Sequence, residues 1–229
     1  MKGVIFDFDG VIGDTERLQY LKWNILLKPF GIEIFPREYI EKYCGKSSAT
    51  EIPWLLKRRY PKILISEEEM AKRASQILKE LFKKKARLIP GALRALNWFK
   101  KKGFKMAVCS GKDPKELEMK IDSLQLASWF PPENRVSEAE AAGKPKPDPT
   151  MYLLACRKVG LLPNECLAFE DTEIGVEAAV KAGLYVIALP NEWMKDQNFS
   201  KADRIIYGGW LNFLKNPEAN IKRNQKIFH

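Results

Sequence analysis

Histidine is almost missing from this chain of 229 residues, and the one copy, His229, is the last residue. That argues against a tight zinc site, which draws on histidine and cysteine together. Cysteine is sparse as well: Cys44, Cys109, Cys156 and Cys166 show no CxxC spacing, so reduced, mostly buried thiols are expected. No apolar run is long enough to span a bilayer. The first apolar stretch is broken by Asp7 and Asp9 before any cleavage signal, which excludes a signal peptide and points to a cytoplasmic protein. Acidic residues are in deficit, 29 against 39 Lys and Arg, for a net charge of +10. Stretches such as "FKKKAR" and "KKKGFK" lack the interleaved aromatics that stack on bases, so a solvated basic surface is expected rather than nucleic-acid binding. What the chain does have is a globular composition, 45% hydrophobic and 30% charged, and enough length for one large domain with an insertion.

"GVIFDFD" opens as a strand buried on both faces, the pattern of a parallel sheet. From residue 16 to 87 the rhythm is helical. Leu18, Leu21 and Ile25 share a helical spacing that stops near Pro29 and Gly31. Ser66 with Glu69 forms a capping box ahead of Met70, Ala74, Ile77, Leu78 and Leu81. After Gly91 strands and helices alternate. A helix with Leu93, Leu96 and Phe99 ends at Gly103; "FKMAVCS", "CLAFED", "YVIAL" and "RIIY" read as strands. Asp113-Pro114 and Asp148-Pro149 are start signals for two of the helices between them. The expectation is an α/β fold: a Rossmann-like parallel sheet with helices on both faces, carrying a helical cap inserted after the first strand. The core would comprise residues 1–15 and 88–229, the cap 16–87, with a frayed basic C-terminus.

Three of these strands end in polar residues: Asp7, Ser110, and Glu170 with Asp171. Ligands of open α/β sheets bind beyond the carboxyl ends of the strands, where strand order reverses. If these strands are neighbours, their ends share one crevice, approached by the "GKPKPDP" segment.

"DFDGVIGDTE", "VCSGK", "GKPKPDP" and "FEDTEIGVEAAVKAG" together resemble the four motifs of the haloacid dehalogenase-like superfamily, in order and in loop context. The likeness runs from residue 7 to 183 and is greatest to the phosphatase and β-phosphoglucomutase-like branch with a small helical cap. The interval from Ser110 to Lys144 leaves no room for a second large cap.

That resemblance implies chemistry the residues suit. Phosphate esters resist water because an anionic electrophile repels anionic nucleophiles. Asp7 would be the nucleophile, forming an aspartyl-phosphate, and Asp9 would protonate the leaving alcohol and then activate water. Their environments should therefore separate their pKa values. Mg²⁺ is the expected cofactor, held by Asp7, Asp171, the Asp9 carbonyl and, less firmly, Glu170. Ser110 and the Gly111 N–H would bind phosphoryl oxygens. Lys144 is the expected cation beside Asp7, with Lys146 as its rival. Gly10 and Gly13 suit a tight segment leading into the cap, and Tyr43 to Ser48 is the candidate specificity loop.

The expected partner is a small-molecule phosphomonoester such as a sugar phosphate, without nucleic acid or membrane; the oligomeric state is left open. Relatives of the mutase group carry a histidine and an arginine in the cap where this chain has Gln19 and Ser48. Hydrolysis is thus the primary reading. A phosphosugar mutase is the alternative, and a non-catalytic binding protein of the same fold a more distant one, because the acidic and basic set is intact.

Overall fold

The computed structural model describes residues 1–46, 48–111 and 114–222. Along the chain the elements are β1 (Gly3–Asp7), α1 (Thr15–Leu27), α2 (Pro36–Lys42), α3 (Glu51–Arg59), α4 (Glu67–Lys85), α5 (Ala92–Lys101), β2 (Lys105–Ser110), α6 (Pro114–Ser123), β3 (Arg135–Ser137), α7 (Thr150–Lys158), β4 (Cys166–Glu170), α8 (Glu173–Lys181), β5 (Tyr185–Ala188), β6 (Arg204–Ile205), α9 (Gly209–Phe213) and α10 (Pro217–Asn220). They fall into two compact units, residues 14–86 and the remainder.

The larger unit is a Rossmann-like α/β sheet of six strands, ordered β3-β2-β1-β4-β5-β6, with every pairing parallel. β1 has β2 on one side and β4 on the other, so strand order reverses at β1 and the switch point lies at Asp7. Alternation along the strands sends large and small residues to opposite faces. Val4, Phe6, Val108, Leu167, Phe169 and Ile187 join the cluster that includes Leu96 and Phe99 of α5, Ile121 of α6, and Trp210 and Phe213 of α9. Phe6 stacks on Phe169 at 5.7 Å and meets Phe99 edge-on. Against the other positions, such as Ala107, Cys109 and Ala168, lie α7 and α8, whose buried residues include the small Ala155, Cys156, Ala178 and Ala179 as well as Met151, Tyr152 and Val176.

Five strands are expected from the sequence and six are present. β3 is only three residues, "RVS" within a polar stretch, too short to show a period. β6 contracts to Arg204–Ile205. Asp148 accepts from the Thr150 N–H at 2.9 Å and so starts α7 as expected. Asp113, the matching signal for α6, lies outside the described residues, as does the C-terminal stretch 223–229.

In the smaller unit α1 and α3 both pack on α4. Ser66 caps α4 by accepting from the Glu69 N–H at 3.1 Å, while the Glu69 carboxylate turns to Arg73 and leaves the capping box half made. Met70, Ala74, Leu78, Leu81 and Phe82 are its buried face. The face of α1 differs from the expected one: Leu18, Gln19, Lys22, Trp23 and Leu26 are buried, whereas Ile25 is exposed.

Candidate active site

β1 ends in Asp7 and the chain then turns sharply. Ile12 and Gly13 both donate backbone N–H bonds to the Phe8 carbonyl, and Gly10 donates to Gly13. Gly10 has φ of 79°, and a Cβ there would come within 1.9 Å of Asp171 Oδ2. Only glycine lets this turn lie against that carboxylate.

Asp7, Glu170 and Asp171 are all buried, and each offers an oxygen within 4.8 Å of the others. One ammonium sits among them. Lys146 Nζ donates to Asp7 Oδ1 and to Glu170 Oε1, with the Tyr152 ring beneath it at 5.4 Å. Burial works against the Lys146 charge, but Asp7 and Glu170 outweigh it and raise its pKa. Burial, with Glu170 and Asp9 adding to it against Lys146, pushes the Asp7 carboxyl up to about 7. The Asp171 carboxyl is raised well above the usual range by burial first, then by Asp7 and Glu170.

The expected cation was Lys144; the structure places it in solvent and puts Lys146 on Asp7. In an extended segment two residues apart point the same way, so the tandem Lys-Pro repeat gave no alternation to choose by. Asp148 pins the start of α7, and the lysine nearer that anchor is the one that reaches the strand ends.

Glu170 is the second departure. Its Oε1 accepts from Lys146 and Tyr152, and its Oε2 from the N–H groups of Asp171 and Thr172 and from Thr172 Oγ1. A carboxylate so fully bonded positions its neighbours and has no lone pair directed elsewhere. Asp171 is the opposite case. Its Oδ2 accepts from Asn191 Nδ2 at 2.6 Å, while its buried Oδ1 has no partner among the described residues. An orphaned buried carboxylate oxygen, beside two further buried acids that share one lysine, suits an oxygen-loving divalent cation. The donor set fits such an ion through Asp7 and Asp171, with Glu170 behind them.

Asp9 stands apart, its side chain 25% exposed. Ser110 Oγ donates to Asp9 Oδ2 at 2.8 Å, so the hydroxyl expected on phosphate is bonded to Asp9 here. Lys120 Nζ, fully buried, reaches both Asp9 oxygens at 2.7 and 3.0 Å and Glu116 at 2.9 Å. Burial opposes its charge, and Asp9 with Glu116 more than restores it. Gly111 is exposed, and a Cβ there would meet nothing nearer than Glu138 Oε2 at 3.8 Å, so the space does not demand glycine.

In the smaller unit Lys22, 1% exposed, donates to Gln19 Oε1 and to Ser48 Oγ at 2.8 Å, with its Nζ 4.7 Å from the Trp23 ring centre. The two positions singled out by the sequence thus share a lysine drawn from a third. Ser47, within the Tyr43–Ser48 loop, lies outside the described residues.

The sequence profile of the haloacid dehalogenase-like hydrolases matches residues 4–189. A phosphorylated carbohydrates phosphatase of Thermotoga maritima is 29% identical over 184 residues, covering 80% of this chain and 82% of that protein. The β-phosphoglucomutase of Bacillus subtilis is 28% identical over 198 residues, 82% and 83% of the two chains. The crystal structure of CbbY from Rhodobacter sphaeroides in complex with phosphate superposes with a TM-score of 0.73 over 90% of this chain and 93% of that one; at 23% identity the likeness concerns the fold. Taken with the parallel sheet and the acid cluster at its switch point, these matches establish that the chain is an enzyme belonging to the haloacid dehalogenase-like hydrolase family, in the branch of phosphatases and β-phosphoglucomutases.

Proposed function

We propose that the protein is a Mg²⁺-dependent phosphatase that hydrolyses a small phosphorylated metabolite, such as a sugar phosphate, through an aspartyl-phosphate on Asp7. The observation that carries this reading is the acid cluster at the switch point, with Asp171 Oδ1 buried and unpartnered beside Asp7. Asp7 and Asp171 would hold the ion with their carboxylates, and the Asp9 carbonyl is the third protein donor. The bound ion would supply positive charge that keeps Asp7 ionised and screens the phosphoryl oxygens.

The chain's own groups divide the remaining work. An Asp7 oxygen attacks phosphorus and the ester P–O bond breaks; the leaving oxygen takes a proton from Asp9. Water, giving its proton back to Asp9, then cleaves the acyl phosphate and releases inorganic phosphate. Lys146 neutralises Asp7 and the transferred group, and Glu170 fixes Lys146. Lys120 and Ser110 orient Asp9 for its two proton transfers, a task that needs a fixed carboxylate more than a buried one.

Purified protein with Mg²⁺ is expected to release phosphate from p-nitrophenyl phosphate and small sugar phosphates, with Asp7→Asn as the blank. Silence of the wild type across a broad phosphomonoester panel would sink the proposal. A mutase remains the second reading because Lys22 brings a cation to Gln19 and Ser48, the positions whose neutrality spoke against it. Conversion of β-glucose 1-phosphate to the 6-phosphate without phosphate release would select the mutase.

A further inference from the structure

The oxygens of the acid cluster are unequally taken. Lys146 Nζ holds Asp7 through Oδ1, and both oxygens of Glu170 are filled. Asp171 is divided. Its Oδ2 accepts from Asn191 Nδ2 at 2.6 Å and lies against the Gly10 turn, where a Cβ would come within 1.9 Å of it. Its Oδ1 is buried and has no partner among the described residues.

Asn191 is held so that its NH₂ end faces Asp171. Its Oδ1 accepts the backbone N–H groups of Trp193 at 2.9 Å and Met194 at 3.2 Å, which fixes which way round the amide sits. The segment that carries it is tied to the first turn of α8. Gln197 Oε1 accepts from the Glu173 N–H at 2.6 Å, and the Asn198 N–H donates to Glu173 Oε2 at 3.3 Å. The turn after β5 needs only the amide oxygen. The NH₂ group, aimed at the end of the neighbouring strand β4, serves Asp171 instead.

We propose that Asn191 is a positioning residue that confines Asp171 to ligation through Oδ1 alone, and that this confinement makes the site favour Mg²⁺ over Ca²⁺. The inference rests on the metal-dependent reading above and adds a cause for the choice of ion. Mg²⁺ keeps several waters and takes one or two carboxylates in a strict octahedron, whereas Ca²⁺ takes about six to eight oxygens and accepts two from one carboxylate. With Asp7 Oδ1 held by Lys146 and Asp171 Oδ2 by Asn191, neither acid has both oxygens free. Outer donors of this kind commonly orient metal-binding carboxylates, and their loss lowers affinity by about 10–100-fold. Loss of this one also releases Oδ2, and so harms Mg²⁺ more than Ca²⁺.

The test reads metal binding rather than turnover. The full chain, treated with EDTA, is titrated with Mn²⁺ at about pH 8, where carboxylates are free of protons, and the EPR signal of free Mn²⁺ is followed. Mg²⁺ and Ca²⁺ then compete for the bound fraction, which Asp171→Asn should abolish. In the wild type Mg²⁺ is expected to displace Mn²⁺ at a concentration lower than that of Ca²⁺ by about 10-fold or more. Asn191→Ser keeps a hydroxyl to cap the turn but is too short to reach Oδ2; it should lower that ratio by about 10-fold. Gln197→Ala loosens the same loop without touching Asp171 and should leave the ratio at the wild-type value. A wild type without preference for Mg²⁺, Mn²⁺ still bound by Asp171→Asn, an unchanged ratio in Asn191→Ser, or an equal fall in Gln197→Ala would each overturn the proposal. If Asn191→Ser fails to fold or to hold Mn²⁺, Asn191→Asp decides: it retains the turn bonds, offers Oδ2 no donor, and must lower the ratio as well. Absence of Mn²⁺ binding by the wild type would remove the metal-dependent reading and this inference with it. Unchanged selectivity with Mn²⁺ bound would remove the role of Asn191 and leave the phosphatase standing.

Discussion

Asp7 and Asp9 are two residues apart and occupy different media. Asp7 closes a strand walled by β2 and β4, is 4% exposed, and shares a single ammonium with two further buried acids. Asp9 lies in the turn beyond, keeps a quarter of its side chain in solvent, and has Lys120 and Ser110 bonded to it. The larger excess of negative charge sits on the Asp7 side, where three buried acids stand with Lys146, against Asp9 and Glu116 with Lys120. Sheet burial thus sorts two identical side chains into a site that calls for a cation and a site that already has one.

The largest expected effect breaks the comparison by chemistry. Asp7→Asn should lower phosphate release by more than about 10⁴-fold, since it removes the nucleophile of the proposed reaction. Asp9→Asn should cost about 10²–10⁴-fold, the scale of a lost proton donor. Steady-state kinetics on one substrate measure both, and equal losses would remove the division of labour.

Next in size is a pH effect confined to the Asp7 side. The Asp7 carboxyl ionises near 3.8 when free and near 7 in the metal-free fold. Folding therefore favours its protonated form. The associated stability is complete below the lower value and disappears as pH rises through the higher one, a loss on the order of 4 kcal/mol. A bound divalent ion removes that loss. The gap in melting temperature between Mg²⁺-loaded and EDTA-treated protein should widen from about pH 5 to about pH 8. A gap independent of pH would contradict the assignment of the acid cluster to a metal.

The two lysines sharpen the contrast further. Lys146→Met removes the ammonium bonded to Asp7 and Glu170 in the buried acid cluster and should cost about 3 kcal/mol, moderated as the acids take up protons. Lys120→Met should cost less, because Asp9 can rehydrate through its exposed quarter. Lys144→Ala should fall within about 0.5 kcal/mol of wild type. Denaturant melts of the three variants give the ranking, and a Lys144 effect matching that of Lys146 would mean that both lysines serve Asp7.

The sequence made the acids legible because each interrupts or ends an apolar run: "VIF" before Asp7, "LAF" before Glu170 and Asp171. The parallel sheet followed from the alternation of strands and helices. The bases were hidden for separate reasons. Lys120 comes four residues after Glu116 on α6, the spacing of an ordinary solvated helix pair. Lys144 and Lys146 occupy equivalent places in a tandem Lys-Pro repeat, so the sequence alone does not choose between them. Tyr152 reads as one more apolar residue of α7, and Asn191 as a turn residue after β5, although both bond the acids. Partners that arrive from distant helices leave no local period, so their roles emerge only once the sheet has brought the segments together.

The smallest expected effect tests how far the Asp7 side is built into its helix. Thr172 caps α8 by accepting from the Gly175 N–H at 3.2 Å, and its hydroxyl proton goes to Glu170 Oε2 at 3.1 Å. The same oxygen that starts the helix therefore helps hold the carboxylate that fixes Lys146. Thr172→Val keeps the side-chain volume and removes both bonds, at a cost of about 1 kcal/mol and a fall in melting temperature of about 2–4 °C. Glu170 retains two backbone N–H donors, from Asp171 and Thr172, so phosphatase activity should fall by no more than a few-fold. The matching control is Ser66→Ala, which removes an N-cap from α4 remote in sequence from any acid of the cluster. If the two variants lose equal stability and Thr172→Val leaves turnover untouched, the hydroxyl is only a helix cap. If Thr172→Val alone lowers turnover and shifts its acid limb, the cap is part of the apparatus that positions Lys146 on Asp7.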